Sequence, residues 1–161
     1  MKKKIIIISI ISLFLLIICL LFVKYNLDSK KAKEEWEALA YDGASIDNIV
    51  EWADSKYVIC VDKINERNYF DGSNEVYDND NKIKKLITEF DYEEIKVNDL
   101  INYEYKIYIN KDCIYVSFAS NIITKTCVID GHFNSAKATR YYKISDDCFT
   151  LLKEEIDKLY C

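Results

Sequence analysis

The sequence predicts an α+β domain carried on a single membrane-crossing helix. Three observations predict it: a long apolar run near the N-terminus, a series of short β-rich segments with period-two alternation, and amphipathic helices set among and after them. The expected layout is an N-terminal transmembrane helix, then a mainly antiparallel sheet meander with one central and one C-terminal helix.

The apolar run, Ile5 to Val23, reads IIIISIISLFLLIICLLFV, interrupted only by Ser9, Ser12 and Cys19. As a helix it reaches about 28 Å, close to the hydrocarbon thickness of a bilayer. A cleaved signal peptide has a shorter apolar core and a small-residue cleavage site, and Leu20 to Tyr25 offers none. A lipoprotein signal needs a small residue before its cysteine, where bulky Ile18 precedes Cys19. Residues 1–23 therefore read as a short cytoplasmic tail and an uncleaved transmembrane signal anchor. Lys2, Lys3 and Lys4 favour the cytoplasm for the N-terminal end, although Lys24, Lys30, Lys31 and Lys33 beyond the run count the other way. The expected location is the cell membrane, single-pass, with the C-terminal domain extracytoplasmic.

Composition narrows what that domain does. Beyond the run, 19 basic residues face 27 acidic ones, a net charge of −8. Nucleic acid is a poor partner for such a domain. With no proline, three glycines and half its residues apolar, the chain is neither a flexible linker nor disordered. The expected contacts are the membrane, through residues 5–23, and another envelope protein or peptide.

Residues 24–44 read as a helical stalk, with Ala32, Trp36, Leu39 and Ala40 on one narrow stripe that docks on the domain or sits at the membrane interface. Asp42-Gly43 ends it. The domain itself, 45–161, begins with Ser45 capping a short helix whose face is Ile46, Ile49, Val50 and Ala53. Tyr57 to Ile64 is a strand, Asp71-Gly72 a tight turn, and Glu75-Val76-Tyr77 a brief return strand. Asn81 or Asp80 is expected to cap a helix to about Phe90, with Ile83, Leu86, Ile87 and Phe90 on one face. Tyr92 to Val97 is a short strand. Ile101 to Ile109 alternates, with Ile101, Tyr103, Tyr105, Ile107 and Ile109 on one side and a wet face opposite. Ile114, Val116 and Phe118 face inward on the next strand, followed by Ile123 to Asp130 and Ala138 to Ile144. Ser145 caps the last helix, Asp146 and Asp147 suit its N-terminus, and Ile144 with Phe149 forms a hydrophobic staple. Its buried face is expected at Cys148, Leu151, Leu152, Ile156 and Leu159.

A Lys-rich anchor, a strand, an Asn/Asp-capped helix, a Tyr/Ile meander and a closing Tyr-Tyr-Lys-Ile-Ser before a helix run through most of the chain. In this pattern the chain resembles small uncharacterised membrane-anchored ectodomain proteins of Gram-positive bacteria. That group lends no activity.

No catalytic residue, cofactor site or metal site is expected. The single histidine, His132, follows Asp130-Gly131 in a turn, with no nucleophile in a recognisable signature. No two of the six cysteines form a CxxC pair. Cys113 and Cys127 flank a turn at Ser120-Asn121 and are the candidate disulfide; a three-residue loop sets them opposite, a two-residue loop one register off. Asp78-Asn79-Asp80-Asn81 resembles the start of a calcium loop but lacks its glycine and distal glutamate, so helix capping accounts for it better. Asp91, Glu93 and Glu94 read as a solvated strand edge. Thirteen tyrosines, many on strands, favour binding over catalysis. The expected role is a binding, sensory or accessory module. An enzyme or thiol-redox protein with a site built from dispersed residues, and an envelope inhibitor or structural spacer, are the alternatives. A flat tyrosine-lined sheet face favours the binder; a deep pocket walled by Cys60, Cys148 or His132 favours the enzyme.

Overall fold

The computed structural model of the chain describes residues 2–47, 59–64, 70, 72–109, 112–130 and 135–161. Their elements are α1 (Lys2–Gly43), β1 (Ile59–Lys63), β2 (Glu75–Asp78), α2 (Lys82–Glu89), β3 (Glu93–Ile95), β4 (Tyr105–Ile109), β5 (Asp112–Ser117), β6 (Ile122–Asp130), β7 (Ser135–Lys143) and α3 (Asp146–Leu159). The short helix expected after Ser45 and the turn at His132 lie outside the described residues.

The strands form one seven-stranded sheet in the order β2-β1-β4-β5-β6-β7-β3, with every neighbouring pair antiparallel. The layout is α+β, as the alternation predicts. Strands β4 to β7 are a simple meander. The segment through α2 carries the chain from the β2 edge to the β3 edge, and the chain from β3 then returns to the middle of the sheet at β4.

Alternation gives the sheet two unlike faces. On the inner face Val61, Ile107, Ile114, Val116 and Ile123 are fully buried. They meet Ile83 and Ile87 of α2 and Leu152 and Ile156 of α3 in one core cluster. In α3, Ser145 Oγ accepts from the Cys148 amide at 3.2 Å, and Ile144 and Phe149 are both buried, as the cap and staple require. Leu151 differs from expectation: it is 49 % exposed, because the buried line runs through Phe149, Leu152 and Ile156 and Leu151 falls on its flank.

Helix α2 is capped from farther away than its sequence suggests. Asn81 takes the N-cap position with a left-handed φ of 54° and makes no side-chain cap. Instead Asp78, buried at the end of β2, accepts from the amides of Lys82 at 3.0 Å and Lys84 at 3.1 Å. Asp78→Ala leaves both donors bare beside a buried site. It is expected to lower stability by about 1–3 kcal/mol, measured by urea unfolding of the full chain in detergent.

The strand expected from Ile101 starts only at Tyr105. Glu104 bends the chain there: its carboxylate accepts from the amides of Phe118 at 2.9 Å and Ala119 at 3.3 Å. Tyr103 is thereby turned away from Tyr105 onto the outer face.

Candidate functional site

Helix α1 is long and apolar enough to cross a membrane, a property it shares with signal sequences. It continues without a break through the expected stalk to Gly43. Lys24 to Ala40 spans about 24 Å of helix. Leu13 to Val23 lie exposed, Phe22 at 65 %, so the domain does not cover this segment. The far end behaves otherwise, packing on β6 and β7. Ala32 and Trp36 are half-buried and Ala40 and Ala44 fully buried. Leu39, expected on this stripe, is 57 % exposed, because a spacing of four from Ala32 through Trp36 and Ala40 to Ala44 leaves it on the flank.

Small residues permit the contact. A Cβ at Gly43 would lie 2.6 Å from Cys127 Sγ, so any side chain there must turn that thiol aside. Polar groups then take up the carbonyls just past the helix end. Tyr142 Oη donates to Ala44 O at 3.2 Å, and Lys125 Nζ donates to Ser45 O at 3.1 Å. Tyr142 Oη also accepts from the Ile46 amide at 3.1 Å. Lys125 is fully buried, and a cation suits the negative end of a helix dipole. Beside it Arg140 pairs with Glu94, stacks 4.6 Å from the Tyr41 ring, and Tyr41 Oη donates to Glu94 at 2.7 Å. Hydrogen bonding from Arg140, then Tyr41, holds the Glu94 carboxyl below its ordinary pKa. This clamp is therefore intact above the ordinary glutamate range and is lost as pH falls through the lowered value. Sequence reasoning missed Lys125. Its signal was a charge on the same alternation as Ile123 and Cys127, the inward side of β6.

The outer face carries the tyrosines. One row across it is covered. Asp62 lies opposite Lys106, Lys106 opposite Tyr115, and Tyr115 opposite Thr124. Tyr103 Oη donates to Thr124 Oγ1 at 3.1 Å, and the rings of Phe70 and Tyr103 lie 5.9 and 5.4 Å from Tyr115. In the adjacent row Tyr77 lies opposite Cys60, Cys60 opposite Tyr108, and Tyr108 opposite Cys113, with Cys60 buried and Tyr108 and Cys113 half-buried. Thr126 and Thr139 continue it, their hydroxyls 3.1 Å apart. Tyr77 is 56 % exposed, and Lys106 Nζ leans from the covered row to 4.2 Å over the Tyr108 ring. Where the chain entering β4 meets Phe70, a cleft of about 470 Å³ opens.

Sequence-flagged groups are scattered relative to this row. Burial, then Glu75 and Asp62, push the Cys60 thiol up to about 11, so it stays protonated and non-nucleophilic near neutrality. Asp78 serves α2, Glu94 serves the joint, and Asp91 and Glu93 are exposed. Among the described residues no three His, Cys, Asp or Glu side chains converge as metal ligands.

Cys113 and Cys127 fall on opposite faces. Ile114 pairs with Lys125, and Ser117 with Ile122, so the loop between is even and the cysteines are one register off. Cys127 meets α1 at Gly43, whereas Cys113 sits beside Tyr108 on the outer face. A bridge between them requires β5 and β6 to slip by one residue. Mass spectrometry of non-reduced protein is expected to show no linked peptide of this pair.

No protein-family model matches the chain, and no curated protein or solved structure matches it significantly.

Proposed function

We propose that the chain is a single-pass membrane protein whose α1 is an uncleaved signal anchor, and whose C-terminal domain works outside the cytoplasm as a binding module. The observation that carries this reading is the outer face of the sheet. It carries a row, Tyr77–Cys60–Tyr108–Cys113–Thr126–Thr139, aromatic and hydroxylated and exposed at its Tyr77 end, over which none of the described helices packs. Tyrosine suits such surfaces because it offers apolar area and a polar tip at low entropic cost. Rigid attachment to α1 supports the same reading, since it fixes how the face is presented relative to the membrane.

Two measurements test it. A reporter enzyme fused after Cys161 is expected to be active outside the cytoplasm, with residues 1–23 retained in the membrane fraction. A soluble product starting near Tyr25, or a lipid on Cys19, overturns the anchor. A photo-crosslinking residue at Tyr108 in intact cells is expected to give an adduct that the same residue at Leu151, exposed on α3, does not. Equal labelling at both positions overturns the face.

A further inference from the structure

We infer that the unpaired edge of β7 docks an extended acidic segment of another protein as an added strand. This surface is separate from the outer face of the sheet. β6 pairs with β7 from Ser135 to Tyr142, but on the other side β3 pairs only with Tyr141, Tyr142 and Lys143. Among the described residues, Ser135 to Arg140 therefore have no strand on that side. The free length is about 20 Å, that of an ordinary strand. Its polar groups face the right way. The Thr126 and Thr139 hydroxyls meet at 3.1 Å, which marks theirs as a close, non-hydrogen-bonded pair of the β6–β7 ladder. The backbone N–H and C=O of Thr139 hence point away from β6, and alternation aims those of Ser135 and Lys137 the same way. An extended chain laid along them gains main-chain hydrogen bonds, as in strand addition generally.

Charge selects the occupant. The segment already on this edge is acidic: Glu93 lies opposite Lys143, and Glu94, opposite Tyr142, pairs with Arg140. That register carried one residue further sets Lys96 opposite Arg140, cation against cation, and β3 ends at Ile95. Beyond it the free edge shows an exposed Lys137. A lysine on an edge strand deters pairing with arbitrary strands. An acidic residue opposite it makes a favourable cross-strand pair instead. A second copy is a poorer occupant, because it brings its own Lys137 and Arg140 to the same short edge, between domains that each carry a net charge of −8.

The test titrates a fluorescent, end-blocked hexapeptide of alternating valine and glutamate with the full chain in detergent micelles, read by anisotropy. Its counterpart of alternating valine and lysine is the control. Saturable binding of the glutamate peptide is expected, with none of the lysine peptide. Lys137→Pro removes one outward N–H and spares the bonds to β6, a place where a strand accepts proline. It is expected to weaken binding about tenfold or more, and Leu151→Ala to leave it unchanged. Lys137→Glu keeps the backbone intact at an exposed position, so it reports the same loss even where the proline variant misfolds. No saturable binding of the glutamate peptide, equal binding of the lysine peptide, or full affinity in Lys137→Glu overturns the inference. A protein adduct at Tyr108 in cells together with failed peptide binding keeps the outer face and removes the edge.

Discussion

Leu152→Ala is expected to destabilise the domain by about 2–5 kcal/mol, the range for emptying a fully buried leucine site. Leu152 has no exposed surface and sits in the cluster that joins α3 to the inner face of the sheet. Removing its branched end deletes apolar contact and leaves a cavity among stiff β-branched neighbours such as Ile107 and Ile114, which cannot collapse to fill it. Leu151→Ala provides the contrast. Its side chain is half exposed on the flank of the same helix, and the loss there is expected to stay within about 0.5 kcal/mol. Urea unfolding of both variants, followed by circular dichroism, checks the pair.

Gly43→Leu has the second large effect. On helix propensity alone the change is favourable by nearly 1 kcal/mol, because glycine is a poor helix former. The packing decides otherwise: a Cβ at this position already has to turn Cys127 Sγ aside, and a leucine adds three more carbons for which that movement makes no room. Overpacking of this kind costs about 1–3 kcal/mol, and relief comes from lifting α1 off β6 and β7. The variant is therefore expected to lose stability and to be cut by trypsin after the already exposed Lys30, Lys31 and Lys33 faster than the parent chain, because the undocked end of α1 frays. Leu39→Ala, at an exposed position on the flank, is expected to do neither.

These two sites show how far the sequence could be read. The line through Leu152 and Ile156 was legible because a 3.6-residue period on a capped helix leaves little freedom. Leu151 was misplaced by one helical step, since two adjacent leucines at the rim of a stripe cannot be ranked by period alone. The strands were legible from alternation, and the inward set Ile107, Ile114 and Val116 follows from it. Tyr103 was not, because its switch of face depends on Glu104 binding amides fourteen and fifteen residues away. Asp78 capping α2 across a turn is a similar case of a side chain acting beyond its local signal. The docking of α1 was half legible. The Ala32–Trp36–Ala40 spacing gives a stripe, yet nothing local says that it meets the β6–β7 hairpin, or that Lys125 lies inward to hold the helix end. The tyrosine row on the outer face is a property of register across six strands. Sequence supplied its tyrosines but not their alignment.

The central claim is that the apolar segment and the domain form one rigid piece through the docked end of α1. It is tested most directly by Gly43→Cys in the full chain in native membranes. The Cβ positions of residues 43 and 127 lie 3.4 Å apart, at the short end of disulfide geometry. Mild oxidation followed by peptide mapping is expected to yield a linked pair joining residue 43 to Cys127, while Leu39→Cys yields none with that cysteine. A residue-43 thiol that stays freely alkylated with no link to Cys127, or that links no better than one at residue 39, would contradict the docked helix.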